Sequence, residues 1–366
     1  MRRMVLAVPP LAAALSALAV AAGPAAASGP PTTVYTSSNV TAGNAVLAFD
    51  RTSSGSLRPA GSFPTGGNGT GGGLNNQGAL ALGPGGRTLY AVNAGSDSVS
   101  AFAVRGTRLD LIGSAPTGGP EPVSVAVHHD RLYVLDAGNN SVSGFSGADS
   151  GRLVPIAGSS ETLPGDGPAQ VSFARDHGAL VVTERNSNTI VTVPLSPGGS
   201  VGSPVSNASN GATPFGFAVD KRGDVIVSEA GGGPNGTSAV SSYGLRDDRS
   251  LSTISRSVGD GQNAACWLIA TKDGRFAYTA NAASASISSY SVAHGGALSL
   301  LRSVAASNAD GSHTTDLAQP GSANELFALT AGVGTMSSYR IGADGGLVAT
   351  GTAPGVPASA TGLVAR

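Results

Sequence analysis

Three carboxylates stand at the same place in three successive copies of one sequence pattern. Asp136, Glu184 and Glu229 each close a short aliphatic run, LYVLD, LVVTE and VIVSE. Asp is a common turn residue and Glu is not, so ordinary turn chemistry accounts poorly for two of the three. Two chemistries suit such an arc. As a pair, Glu184 and Glu229 divide into general acid and general base, because repulsion between neighbouring carboxylates raises one pKa, and they activate water against an ester-like carbonyl with no cofactor required. As oxygen ligands, Asp136, Glu184 and Glu229 hold a hard cation such as Ca2+, with Asn side chains and backbone carbonyls completing the shell. Arg185, beside Glu184, serves as a cationic contact to substrate or neutralises Glu184 in a salt bridge. A third reading needs no function: polar side chains after a strand bond to the backbone of the next turn.

The remaining chemical candidates carry less. Cys266 is the only cysteine, set in the apolar run CWLIA, where a thiol is expected to be buried and inert. His128 and His129 are adjacent, so on a strand they point to opposite faces, and a solvated turn is expected. His313 lies three residues before Asp316 and could add to a binding site. GGNGTGGG (66–73) has the glycine content of a phosphate loop but no Lys, and is read as a flexible surface loop. No nucleophile elbow, zinc motif or dinucleotide fingerprint is present.

What positions these residues is a repeat. The pattern of an aliphatic strand, a polar end residue, a Gly/Asn/Ser turn and a second strand begins at Val34, Leu89, Leu132, Leu180, Val225, Ala277 and Leu326, about every 43 to 55 residues. Its polar end residue is Ser38, Asn93, Asp136, Glu184, Glu229, Asn281 or Thr330, and Asn93 and Asn281 join the candidate binding residues. Before each copy from the second onward comes a short apolar run such as VSVAVHH (123–129) or FGFAVD (215–220), the pattern of a strand buried on both faces. A unit this small cannot bury its own faces, and all-β repeats of four short strands close radially. The expected fold is therefore all-β, a seven-bladed β-propeller of four-stranded blades. The chain opens on a second-type strand (34–38) and ends on an innermost-type one (359–366), so N- and C-terminal strands are expected to share one blade and close the ring.

Composition agrees with one domain over residues 28–366. Gly is 54 of 366 residues and charged residues are 12%, which suits tight turns and buried strands and excludes a charge-rich disordered chain. Net charge is −1 without a basic cluster, so no nucleic-acid partner is expected. Residues 1–27 read as a signal peptide: MRRM is positive, an apolar stretch follows, and Ala25-Ala26-Ala27 offers a small-residue cleavage site. The mature chain is then a secreted, extracellular monomer with no membrane span and no internal disulfide.

The turn LYAVN of Leu89 to Asn93, the run DGRFAYTAN of Asp273 to Asn281 and the SVS third strands resemble the seven-bladed lactonase-type propellers, the family of 6-phosphogluconolactonases and carboxymuconate cyclases. The resemblance implies a lactone hydrolase acting on a small-molecule lactone. TERNSNT (183–189) matches a motif of that family, with Glu184 at its glutamate position. The family's Arg-His pair on the neighbouring innermost strand is replaced by Ala169-Gln170, which removes a cationic donor for an oxyanion or a phosphate. The alternative is a non-catalytic extracellular propeller that binds a surface ligand.

Overall fold

A computed structural model describes residues 32–231, 237–308, 312–321 and 324–366; the segment read as a signal peptide lies outside them. The alternating apolar runs pair into seven antiparallel sheets, each with its strands in chain order from the innermost outward, except where the termini meet. Blade 1 is built from Thr361–Ala365, Thr33–Ser37, Ala45–Arg51 and Leu57–Pro64. The C-terminal strand runs antiparallel to the N-terminal one, with Tyr35 opposite Val364, so the ring closes as the sequence implies. Blade 2 begins at Leu80–Leu82, blade 3 at Pro122–His128, blade 4 at Pro168–Phe173, blade 5 at Pro214–Val219, blade 6 at Ala265–Ala270 and blade 7 at Asp316–Ala318.

Blade 3 departs from the pattern. Its outer strand is broken into Val154–Pro155 and Glu161–Thr162. In the gap Ser159 takes over the role of a ladder, its Oγ accepting from Gly144 N and donating to Gly144 O, each at 3.0 Å. Pro155 lacks the N–H that a continuous strand would need.

The second strands are buried on both faces because each faces two blades. Leu180 and Val182 pack with Tyr133 and Leu135 of blade 3, while Val181 packs with Phe217 and Val225 of blade 5. The seven apolar clusters of the described residues correspond to the seven junctions between neighbouring blades. Side chains alternate with a period of two, so the polar residue ending each second strand inherits the facing of the residues two and four positions before it. That parity decides where the candidate carboxylates go.

Candidate functional site

The aligned polar residues occupy equivalent register positions. Asp136 lies opposite Pro122 and Ser141, Glu184 opposite Pro168 and Thr189, Glu229 opposite Pro214 and Ala239. Each, however, points into the crevice shared with the preceding blade. Leu132 and Val134, in phase with Asp136, face blade 2; Leu180 and Val182, in phase with Glu184, face blade 3; Val225 and Val227, in phase with Glu229, face blade 4. The innermost strand stands between each of them and the channel. The three carboxylates therefore lie in separate crevices, and no group of three acidic, His or Cys side chains able to hold a metal occurs among the described residues.

Within its crevice each long side chain staples a loop. Glu184, fully buried, accepts from Asn140 Nδ2 at 3.0 Å and Gly165 N at 3.3 Å through Oε1, and from Thr189 Oγ1 at 2.8 Å through Oε2. Glu229, 1% exposed, accepts from Gly211 N at 2.8 Å, Ser241 Oγ at 2.6 Å and Ser257 Oγ at 2.7 Å. Asn93 Nδ2 donates to Ser98 and Ser100, and Asn281 Nδ2 to Ser286 and Ser288. All are buried. Ser38 and Thr330 bond to Asn44 and Thr335 in the same manner.

Asp136 is the exception. Neither carboxylate oxygen meets the distance and angle of a hydrogen bond to any of the described residues, and the residue is fully buried. Burial pushes its pKa up to about 6; the Thr117 hydroxyl, as a nearby hydrogen-bond donor, opposes the rise and the charge of Asp97 adds to it. Asp is one methylene shorter than Glu and forms no bond to the loop N–H that Glu184 and Glu229 reach.

The channel itself is crossed by the loop that joins blades 1 and 2. Gln77 Nε2 donates to Leu268 O at 2.9 Å, and its Oε1 accepts from Leu268 N at 3.0 Å, while Gln77 N bonds to Ala169 O. Asn76 accepts the Trp267 indole N–H at 2.7 Å on its carbonyl and the Thr361 hydroxyl at 2.8 Å on Oδ1, and its amide bonds to Val123 O. A segment bonded to the innermost strands of blades 1, 3, 4 and 6 lies across the axis. The glycine loop leading into it is tied down, contrary to the flexible loop expected: Gly69 N bonds to Val40 O, Gly71 N to Asn39 O, and Gly95 N to Asn68 O. A Cβ on Gly69 would collide with the Asn39 backbone, so this close approach requires glycine.

Arg185 does not pair with Glu184. Its guanidinium lies 5.5 Å over the Phe215 ring, its Nε has no partner, and it forms no ion pair among the described residues. Phe215 tilts against Trp267 with ring centroids 5.3 Å apart. Cys266 is beside them, and burial pushes its thiol up to about 12, so it is no nucleophile at neutral pH. Gln170, at the place of the family's missing His, clamps the next innermost strand instead: its amide donates to Phe217 O at 3.0 Å and accepts from Phe217 N at 2.7 Å. His313 is exposed with φ +41°, whereas Asp316 is 1% exposed and burial drives its pKa well up.

Sequence reasoning missed one cluster. His128 stacks on His177 with ring centroids 3.4 Å apart, and His129 meets His128 edge-on at 4.2 Å. His128 and His177 end the innermost strand or begin the following turn of adjacent blades, so aligning those turns would have paired them.

Residues 31–157 match the family model described as "Lactonase, 7-bladed beta-propeller", a span that covers most of blades 1 to 3. The chain is similar in fold to a Lactobacillus plantarum protein, with TM-score 0.73, 15% identity and coverage of 92% of this chain and 99% of that one. The periplasmic gluconolactonase of Pseudomonas aeruginosa gives 0.69, 15%, 91% and 98%, and a functionally unknown protein from Desulfotomaculum acetoxidans gives 0.68, 12%, 91% and 98%. No curated protein matches the sequence significantly. The molecule is a seven-bladed β-propeller, similar to the lactonase family over residues 31–157. No helix among the described residues is long and apolar enough to cross a membrane.

Proposed function

We propose that this propeller is a binding protein that recognises a small carboxylate, such as an aldonate, at Arg185, and does not hydrolyse a lactone. The observation that carries this reading is the unpaired Arg185 guanidinium held over Phe215. A half-buried cation whose Nε has no partner, with an aromatic wall and, among the described residues, no carboxylate within ion-pair distance, Asp166 acting only at longer range, suits an anionic ligand. Catalysis by Glu184 and Glu229 is disfavoured by their environment. Both are buried and each accepts at least three hydrogen bonds, an arrangement that staples loops rather than presenting a base to solvent. A second reading, lactone hydrolysis after export from the cell, is supported by the family match and by the gluconolactonase neighbour.

Titration calorimetry with gluconate and turnover of gluconolactone followed by proton release test the two together. Gluconate binding that weakens at least tenfold in Arg185→Met, with turnover no faster than in buffer, is the expected result. Turnover abolished by Glu184→Gln or Glu229→Gln in folded protein would overturn it in favour of the hydrolase.

A further inference from the structure

We infer that the crevice between blades 2 and 3 holds a cation site centred on Asp136, taking a hard, oxygen-seeking ion such as Ca2+. The inference stands apart from the reading of Arg185, which lies in a different crevice.

Comparison among repeats carries it. Asn93 and Asn281 are each followed by serines at the fifth and seventh positions, and their amides donate to both at 2.8 to 3.2 Å. Asp136 is followed by Ser141 and Ser143 at the same spacing, but a carboxylate has no proton to give. The serine protons go elsewhere: Ser141 Oγ donates to Asn139 Oδ1 at 2.8 Å and Ser143 Oγ to the Thr117 carbonyl at 2.6 Å. The Thr117 hydroxyl donates to the Gly119 carbonyl at 2.9 Å. Both serine hydroxyls are thus turned away, and the Thr117 hydroxyl is the one donor close enough to lower the pKa of the fully buried carboxylate. Leaving such a group unpaired is costly unless a positive charge compensates it.

The loop closes on the carboxylate through a glycine. An ideal Cβ on Gly119 would stand 2.8 Å from both Asp136 Oδ2 and Asn139 Oδ1, so the close approach brings these two oxygens to one point of the loop. Gly119 does not have a positive φ, so the backbone does not itself demand glycine there. Asp97 supplies a second carboxylate from the blade 2 side, with Oδ1 accepting from Glu121 N at 2.9 Å across the same loop. Two carboxylates with Asn, Thr and carbonyl oxygens are a Ca2+ donor set. Among the described residues no third acidic, His or Cys side chain joins them, so an affinity of about 10⁻⁴ to 10⁻³ M is expected, as in extracellular Ca2+ modules.

The test is thermal unfolding and calorimetry of chelator-treated full chain at neutral pH, titrated with Ca2+ and, separately, Mg2+. Saturating Ca2+ is expected to raise the melting temperature by about 2–4 °C. Asp136→Asn and Gly119→Ala should abolish the shift, and the exposed Asp97→Asn should weaken binding several-fold while folding normally. Absence of any shift in the wild type, together with an Asp136→Asn protein that melts higher unaided, would overturn the site and leave a protonated acid as the occupant. A Ca2+ shift that persists in Asp136→Asn, or in Asp97→Asn and Gly119→Ala should the first variant not fold, would overturn it too.

Discussion

Removing the Gln77 side chain should loosen the whole ring, although Gln77 sits in a loop. Its amide caps both backbone groups of Leu268, at 2.9 and 3.0 Å, from across the channel. Gln77→Ala leaves an N–H and a C=O unpaired beside a buried wall. A lost bond costs about 1 kcal/mol where water replaces it and about 1–3 kcal/mol where it does not, so the pair is expected to cost about 2–4 kcal/mol. Unfolding entropy near 2.1 cal/mol/K per residue then converts this to a fall of about 3–5 °C in melting temperature for a chain of 366 residues.

Gly216 provides the internal control. A Cβ there would strike Gln77 Oε1 and stand 2.7 Å from the Cys266 carbonyl. Gly216→Ala should therefore destabilise partly by expelling Gln77 and partly by crowding the Cys266 carbonyl, and the first part of its effect should vanish in the Gln77→Ala background. The double variant is expected to be more stable than additivity predicts by about 1 kcal/mol or more. Melting followed by circular dichroism on the four proteins of the cycle reads this directly. A Gln77→Ala protein within about 1 °C of wild type, or a strictly additive cycle, would refute the account of Asn76–Gln77 as a bolt across the channel.

Three further outcomes follow from the same geometry. Glu184→Gln should lower stability by about 1–2 kcal/mol, because it replaces an oxygen that accepts from Thr189 by an amide with protons of its own; a rise in melting temperature would instead reveal an unrelieved repulsion. His128 and His177 have pKa values held below the usual 6.5, by burial first and then by neighbouring positive charge, His177, His129 and Arg131 acting on His128, and His129 and Arg175 acting on His177 against the opposing Asp176, so the unfolded chain takes up their protons first on acidification. Wild-type stability should consequently fall as pH drops below 6.5, and His177→Asn, which tolerates the φ of +55° there, should flatten the fall in a pH series of melting curves. Truncation after Ala360 removes the partner of Thr33–Ser37 and Leu363 from the junction of blades 1 and 7, and should abolish cooperative unfolding; a sharp, unshifted melt would contradict the closure.

The fold was legible because its information is local. Strand alternation, Gly and Asn turns and the position of the polar end residue recur within each repeat, and even the closure could be read from which strand type stands at each end. The broken outer strand of blade 3 was less visible, since it depends on Ser159 replacing a ladder that Pro155 interrupts. The channel bolt was invisible, because Gln77 and Leu268 are 191 residues apart and nothing in NNQG marks it as a bridge.

The carboxylate arc shows where repeat reasoning needs one more step. Alignment placed Asp136, Glu184 and Glu229 at one register position, and that is where they are. Equivalence around a ring suggests convergence, but the period of two along a strand turns each side chain toward the preceding blade. Equivalent residues of a propeller therefore meet the same kind of neighbour rather than one another, unless they project from the innermost strand. The comparison that remains informative is between copies: Asn93 and Asn281 donate to two serines, Glu184 and Glu229 reach a loop N–H, and Asp136 can do neither. A residue that breaks its repeat's own bonding rule while buried is the place where something outside the chain is most needed, and that argument required only the copies and the chemistry of their side chains.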